Sequence, residues 1–337
     1  MKTINAFMRD FLIGVIIILT ASLSGCKKEE VYFADGVFPD STIILSKIST
    51  SNNDIAEDFS VDENDLDGTA ELLITTNSTT SGGNTDISQA IINFSFGHKT
   101  GTFTIDCSAS TDPFIAKLLT KSNTSGNDLG PYRLFSSIDG FEYMIYSTAG
   151  NAGDLDFYYL RNQPSFGTIL PEVQGPSPVT LLNTSADEDY ICFDLNMDTC
   201  YFTSGPDGNQ DIYVKSKSLV TDFASWLSGN YSVSARPDSI NSEADDKSPR
   251  IYRNFMVFSS NRPGGLGGYD LYYSVFRKGK WSLPLNMGPE INTAADEIKP
   301  LIGKHSDYTN NFIIFSSNRE GGKGGFDIYF KGVKIYF

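Results

Sequence analysis

Histidine is nearly missing from this chain of 337 residues. His98 and His305 are the two present, both in turn-like stretches. That is too few for a histidine-rich metal site and poorly placed for a serine triad. A G-x-S-x-G elbow is also lacking, as is a sialidase-like S-x-D-x-G-x-T-W box, so the common hydrolase signatures are absent. Cysteine is scarce, with only Cys26, Cys107, Cys192 and Cys200, so no dense disulfide framework holds the fold. Cations are outnumbered: 26 Lys and Arg face 41 Asp and Glu, a net charge of −15. A body that acidic repels nucleic acid and anionic lipid surfaces, and nucleic acid is excluded as a partner. Past the N-terminus no apolar run approaches the roughly twenty residues of a spanning helix.

What is present begins with an address. Lys2 and Arg9 form a basic start, Phe11 to Leu19 an apolar core, and Leu23-Ser24-Gly25-Cys26 a small-residue stretch ending in cysteine. The apolar run is of signal-peptide length. Leu-Ser-Gly-Cys resembles a lipobox, which makes residues 1–25 a lipoprotein signal and Cys26 the lipidated first residue of the mature protein. The plainer reading is a secretory signal cut near Ala21 or Gly25. Lys27-Lys28-Glu29-Glu30 reads as a solvated charged tether. It also resembles the export signal that sends Bacteroidota lipoproteins to the outer face of the outer membrane. Removing residues 1–25 takes Lys2, Arg9 and Asp10 away, a net +1, and leaves a body of −16.

The body, residues 31–337, is read as one repeat domain. Its composition is 13% aromatic and 20% charged with 30 glycines, which suits a β-rich globule. Asn254 to Thr293 holds the clearest copy: Phe255 to Phe258, Ser259-Ser260-Asn261-Arg262, a glycine turn, Asp270-Leu271-Tyr272, Trp281, then Ile291-Asn292-Thr293. Phe312 to Phe315 opens the next, with Asn318-Arg319 and Asp327-Ile328-Tyr329. Two rulers count the units. The aspartate before the third strand recurs as Asp86, Asp156, Asp211, Asp270 and Asp327, at spacings of 55 to 70 residues. A small polar close recurs at Ser49-Thr50, Asn123-Thr124, Asn183-Thr184, Asn241-Ser242 and Asn292-Thr293, each followed by acids.

Five units follow, starting near residues 50, 124, 184, 242 and 293. Each has apolar runs for four strands, and a blade needs about 40 to 50 residues. The prediction is an all-β propeller of five four-stranded blades. Residues 108–121 read as an insertion. Asp67-Gly68 and Asp139-Gly140 read as hairpin turns, and Trp281 to Leu285 as an outer strand. The last unit lacks such an outer strand, and Thr42 to Leu45 is expected to supply it, closing the ring and removing a sheet edge.

The signature S-S-N-R-x-G-G-x-G-G-[YF]-D-[LI]-Y, covering about residues 240–330, resembles the WD-like propeller repeat of TolB and of Bacteroidota envelope lipoproteins. That resemblance implies a non-catalytic lipoprotein of the outer membrane. Its propeller would be a platform for an envelope protein or a glycan, with no cofactor.

Each candidate site has a plainer reading beside it. Asn261-Arg262 and Asn318-Arg319 lie on the face of the inter-blade connections, near Asp245, Asp246, Asp296 and Glu297. They either pin loops to acids of a neighbouring unit or form a ligand site, and recurrence with the repeat favours pinning. The five repeated aspartates are read as structural acceptors at the entry to strand three. Cys192 and Cys200 flank a hairpin turn and are either bridged across it or two buried thiols. The glycine loops lead into strands with no Lys-Ser/Thr, which rules out phosphate cradling. Asp62 to Gly68 departs from calcium-loop spacing at Leu66, and no metal is expected. The alternative function is a five-bladed glycoside hydrolase, which needs carboxylates converging in the propeller mouth.

Overall fold

Five antiparallel sheets arranged around one axis make up the computed structural model, an all-β propeller of five blades. It describes residues 31–64, 67–149, 153–164, 170–205, 209–217, 222–237 and 239–335. The signal stretch, Cys26 and the tether to Glu30 lie outside them.

Blade one is β2 Asp54–Asn64, β3 Asp67–Thr76, β4 Asp86–Phe96 and β5 Phe103–Ala109. Blade two is β6 Asp128–Ser136, β7 Phe141–Thr148, β8 Asp156–Asn162 and β9 Gln174–Pro178. Blade three is β10 Glu188–Phe193, β11 Thr199–Ser204 and β12 Asp211–Ser216. Its outermost position shrinks to an isolated bridge, Val214 to Ala235. Blade four is β13 Asp246–Tyr252, β14 Phe255–Ser260 and β15 Asp270–Arg277. Its outer strand is split by Ser282-Leu283-Pro284 into β16 Lys280–Trp281 and β17 Leu285–Asn286. Blade five is β18 Glu297–Gly303, β19 Asn311–Ser317 and β20 Asp327–Val333. The N-terminal β1, Ile43–Ile44, completes it, with Ile43 opposite Phe330 and Ile44 opposite Tyr329.

Alternation along the middle strands fills the gaps between blades, because successive side chains point to opposite faces. In β14, Phe255 and Val257 pack toward blade five, while Met256 and Phe258 pack toward blade three. Five apolar clusters result, one in each inter-blade gap. The strands therefore read as unbroken apolar runs, as expected where both faces are covered.

The same alternation settles the cysteines. Cys192 stands opposite Tyr201 and Cys200 opposite Phe193, one residue out of register with each other. Cys192 points into the gap with blade four and Cys200 into the gap with blade two. The two are free, buried thiols, and the bridge weighed from the sequence does not form. Cys107 is likewise a free, buried thiol.

The stretch read as an insertion holds the helix Pro113–Ser122. Asp112 caps it by accepting from the Ile115 N–H at 2.8 Å, and proline occupies its first turn, where the missing N–H costs nothing. Ile115 and Leu118 are buried in the gap between blades one and two.

One joint repeats around the ring. The residue before each strand-three aspartate accepts from the first residue of the next inner strand: Thr85 from Asp128, Leu155 from Glu188, Gln210 from Asp246 and Tyr269 from Glu297. The fifth joint runs from the Asp54 N–H to the Phe326 carbonyl at 2.8 Å and links the last blade to the first.

Candidate functional site

The residues singled out by the repeat fall on the inter-blade joints. Arg262 ion-pairs with Asp246 and donates to the Ile240 carbonyl at 2.7 Å. Arg319 pairs with Glu297 at 3.0 Å and donates to the Ile291 carbonyl at 2.7 Å. The expected partner was an acid of a neighbouring unit. Each arginine instead takes the acid on the inner strand of its own blade, and only the carbonyl belongs to the preceding connection. The side chains of Asn261 and Asn318 accept from the N–H groups of Asp245 and Asp296 at 2.9 and 2.8 Å. The glycine loop serves close approach: a Cβ on Gly267 would meet the Ala295 carbonyl oxygen at 2.2 Å, and one on Gly324 the Asn52 oxygen at 2.5 Å.

The five aspartates share a position but not a set of partners. Asp270 accepts from the Leu266 N–H at 2.6 Å and from Asn286 at 2.7 Å. Asp327 accepts from the Lys323 N–H at 2.7 Å. Asp211 pairs with Arg236 at 2.6 Å, and Asp86 takes the Thr79 hydroxyl at 2.7 Å. Burial raises the Asp156 carboxyl, and Asp154 adds to the rise. None of these side chains lines the axial cavity or the cleft described next.

Around the axis the five inner strands each carry a bulge. In four of them the residue two past the leading acid has a left-handed backbone: Gly130, Tyr190, Ser248 and Lys299, with φ from 54° to 63°. Three of those positions are not glycine, and each costs on the order of 1 kcal/mol or more. The bulges bring Glu57, Tyr190, Ser248 and Lys299 onto the wall of an axial cavity of about 20 Å³. Lys299 lies against the Tyr190 ring, with its ammonium 3.5 Å from Glu57. Burial dominates the charges here. It raises Glu57, pushes Asp189 up to about 7 and pushes Lys299 down to about 8. A sugar ring has no room in this cavity.

Farther along the axis, Asp58 accepts from the Arg133 N–H at 2.9 Å and from the Arg250 guanidinium at 2.8 Å. Arg133 leads outward to Glu71, 3.7 Å away. There a cleft of about 580 Å³ opens between blades one and two, under the helix Pro113–Ser122. Its polar wall carries Glu71 and Glu142, the latter accepting from the Asn162 amide at 2.8 Å. Its apolar wall carries Phe59, Phe114 and Phe135, and Phe135 is 53% exposed. The volume is that of a small-molecule or oligosaccharide site, and aromatic faces beside carboxylates can hold and polarise a polyhydroxylated ligand.

Sequence reading missed this geometry. Glu57, Asp189 and Lys299 carry no repeat signature. One signal was present: Pro131, Pro249 and Pro300 each stand three residues past a leading acid, inside an inner strand. Proline within a strand marks a bulge or an unpaired edge, and these strands have both.

No family model matches the chain, and no curated protein sequence does. Solved structures do. A structure described as a glycoside hydrolase aligns over 92% of this chain and 95% of its own, with 11% identity and a TM-score of 0.52. A β-xylosidase structure aligns over 88% and 96%, with 8% identity and a TM-score of 0.50. Likeness at these identities is one of fold. It corrects the TolB-type resemblance, since these two whole-chain neighbours are glycosidase propellers and not envelope repeat proteins. The reading as a non-catalytic platform rested on that resemblance and falls with it.

Proposed function

We propose that the protein is a carbohydrate-active enzyme of glycoside hydrolase type, acting on a glycan bound in the cleft between blades one and two. The observation that carries this reading is the pairing of Glu71 and Glu142 with an aromatic wall in one cleft of about 580 Å³. Glycoside cleavage needs two carboxyl groups flanking the scissile bond, one to protonate the leaving oxygen and one to act as base or nucleophile. The fold shared with a glycoside hydrolase and a β-xylosidase supports the reaction class. Arg133 is the only cation among the described residues lining the cleft, and it is engaged by Asp58, Ser60 and Glu71. The cleft thus offers little to the carboxylate of an acidic sugar, and a neutral glycan is the substrate class.

The test is release of aglycone or reducing ends from a panel of neutral aryl glycosides and polysaccharides, xylosides included. Activity lost at least a hundredfold in both Glu71→Gln and Glu142→Gln, with folding intact, is the expected result. No turnover on any neutral substrate, or turnover unchanged in both variants, overturns the reading.

The lipid anchor at Cys26 is proposed with it, on the Leu23-Ser24-Gly25-Cys26 stretch. Acyl chains there would hold the body at the outer membrane, close to extracellular glycans. Cys26→Ser should move the protein from the membrane pellet to the soluble fraction, and retention in the pellet would rule the anchor out.

A further inference from the structure

We propose that the axial cavity is a binding site for one water molecule, held jointly by Glu57, Ser248 and Lys299. Three polar atoms on its wall lack a protein hydrogen-bond partner: one Glu57 carboxylate oxygen, the Ser248 hydroxyl and the Lys299 ammonium. Their residues are 8%, 4% and 5% exposed, so bulk solvent does not serve them. A buried polar group with no partner costs about 1 to 3 kcal/mol, and three around one small space call for a shared guest.

The guest's size and chemistry follow from the wall. A cavity of about 20 Å³ matches one water, which needs roughly 10 to 15 Å³. With Lys299 3.5 Å from one Glu57 oxygen, the other Glu57 oxygen is open to a donor, the ammonium has protons left for an acceptor, and the Ser248 hydroxyl can be either. Water is donor and acceptor at once. A cation would face the Lys299 ammonium, with Arg250 on the same wall. An anion would face Glu57, with Asp189 nearby. The charges thus select a neutral guest.

The backbone is built for this arrangement. Ser248 and Lys299 take left-handed conformations, with φ of 57° and 54°. Their N–H groups are secured by hydroxyls of the preceding blade, Ser248 by Thr203 at 3.0 Å and Lys299 by Ser259 at 3.2 Å. The same left-handed turn recurs at Gly130 and Tyr190, and here it brings Ser248 and Lys299 from two adjacent blades onto one cavity wall. This site is independent of the cleft and of any reaction there.

A crystal structure of the full chain, at a resolution that resolves ordered water, tests the proposal. One density peak within hydrogen-bond distance of Glu57, Ser248 and Lys299 is expected, with no anomalous signal after soaks in bromide or rubidium. A cavity without density would overturn it, as would a bromide or rubidium peak at that point, which would make the guest an ion. In solution, oxygen-17 relaxation dispersion should count one fewer long-lived water in Ser248→Asn, whose larger side chain fills the space and tolerates the left-handed backbone. An unchanged count in that folded variant also overturns the site.

Discussion

Asn292 grips Leu271 at both ends of one residue: its side-chain carbonyl accepts from the Leu271 N–H at 2.8 Å, and its amide donates to the Leu271 carbonyl at 2.9 Å. The same fork joins Asn123 to Ile87, Asn183 to Phe157 and Asn241 to Ile212. In each case the amide side chain imitates a paired strand, tying the close of one unit to the third strand of the same blade. Asn292 is 1% exposed. Asn292→Ala strands a buried donor and a buried acceptor and should destabilise by about 1 to 3 kcal/mol. Asn292→Asp, which keeps shape and loses the donor, should destabilise too. Equilibrium denaturation measures both, and a wild-type midpoint in either variant would contradict the fork's structural role.

The strand-three aspartates should separate by partner set, not behave alike. Asp270 is fully buried and accepts from a backbone N–H and an amide. Asp270→Ala should lower stability by about 1 to 3 kcal/mol. Asp86 is partly exposed and takes one hydroxyl, so Asp86→Ala should cost well under 1 kcal/mol. Thermal melts of the two variants check the order. Equal losses would mean that the shared position matters more than the local partners.

The ring and its blade number were legible because repetition averages over local noise. Asp270 and Asp327, or Asn292 and Asn241, declare the same joint several times. What failed were features fixed by register or by a neighbouring blade. Cys192 and Cys200 look paired along the chain, but a single step of register sends them to opposite faces of the sheet. Arg262 and Asp246 lie 16 residues apart across a turn, and sequence order alone does not say which blade's acid the arginine reaches. Glu57, Tyr190 and Lys299 meet only because three inner strands converge on one axis, and no spacing encodes that convergence. The cleft was hidden for the same reason, since Glu71 and Glu142 come from different blades.

The buried charges at the axis predict a pH dependence with a defined sign. Burial lifts Asp189 from 3.8 to about 7 in the folded protein. A group with a raised folded pKa contributes stability that is complete below its unfolded pKa and lost as pH rises through the folded one. Asp189 therefore favours folding near pH 4 and opposes it above pH 7. Lys299 has the opposite displacement, from 10.5 down to about 8. Its contribution is complete above the unfolded value and lost as pH falls through about 8. The difference in unfolding free energy between wild type and Asp189→Asn isolates the first effect. Wild type should lose ground to the variant by an amount on the order of a few kcal/mol between pH 4 and 7. A flat difference across that window would mean that Asp189 is solvated or fully neutralised by its lysines.

Phe135 gives the most selective probe of the cleft. It sits on β6, lines the cleft and is 53% exposed, standing opposite Glu142 across the hairpin. Little of the fold rests on a side chain that open, so Phe135→Ala should change stability by no more than about 0.5 kcal/mol. As a flat apolar platform for a sugar ring it should matter far more. Its loss should weaken binding roughly tenfold, equivalent to about 1.4 kcal/mol. The effect should fall on KM with kcat largely kept, because an apolar platform that neither moves a proton nor meets developing charge holds ground state and transition state alike. Glu142→Gln should show the reverse, a collapse of kcat with KM nearly kept. Both constants can be read from initial rates on any neutral glycoside that the substrate panel shows to be cleaved. A Phe135→Ala enzyme with unchanged KM would place the substrate elsewhere on the propeller, even if cleavage itself were established.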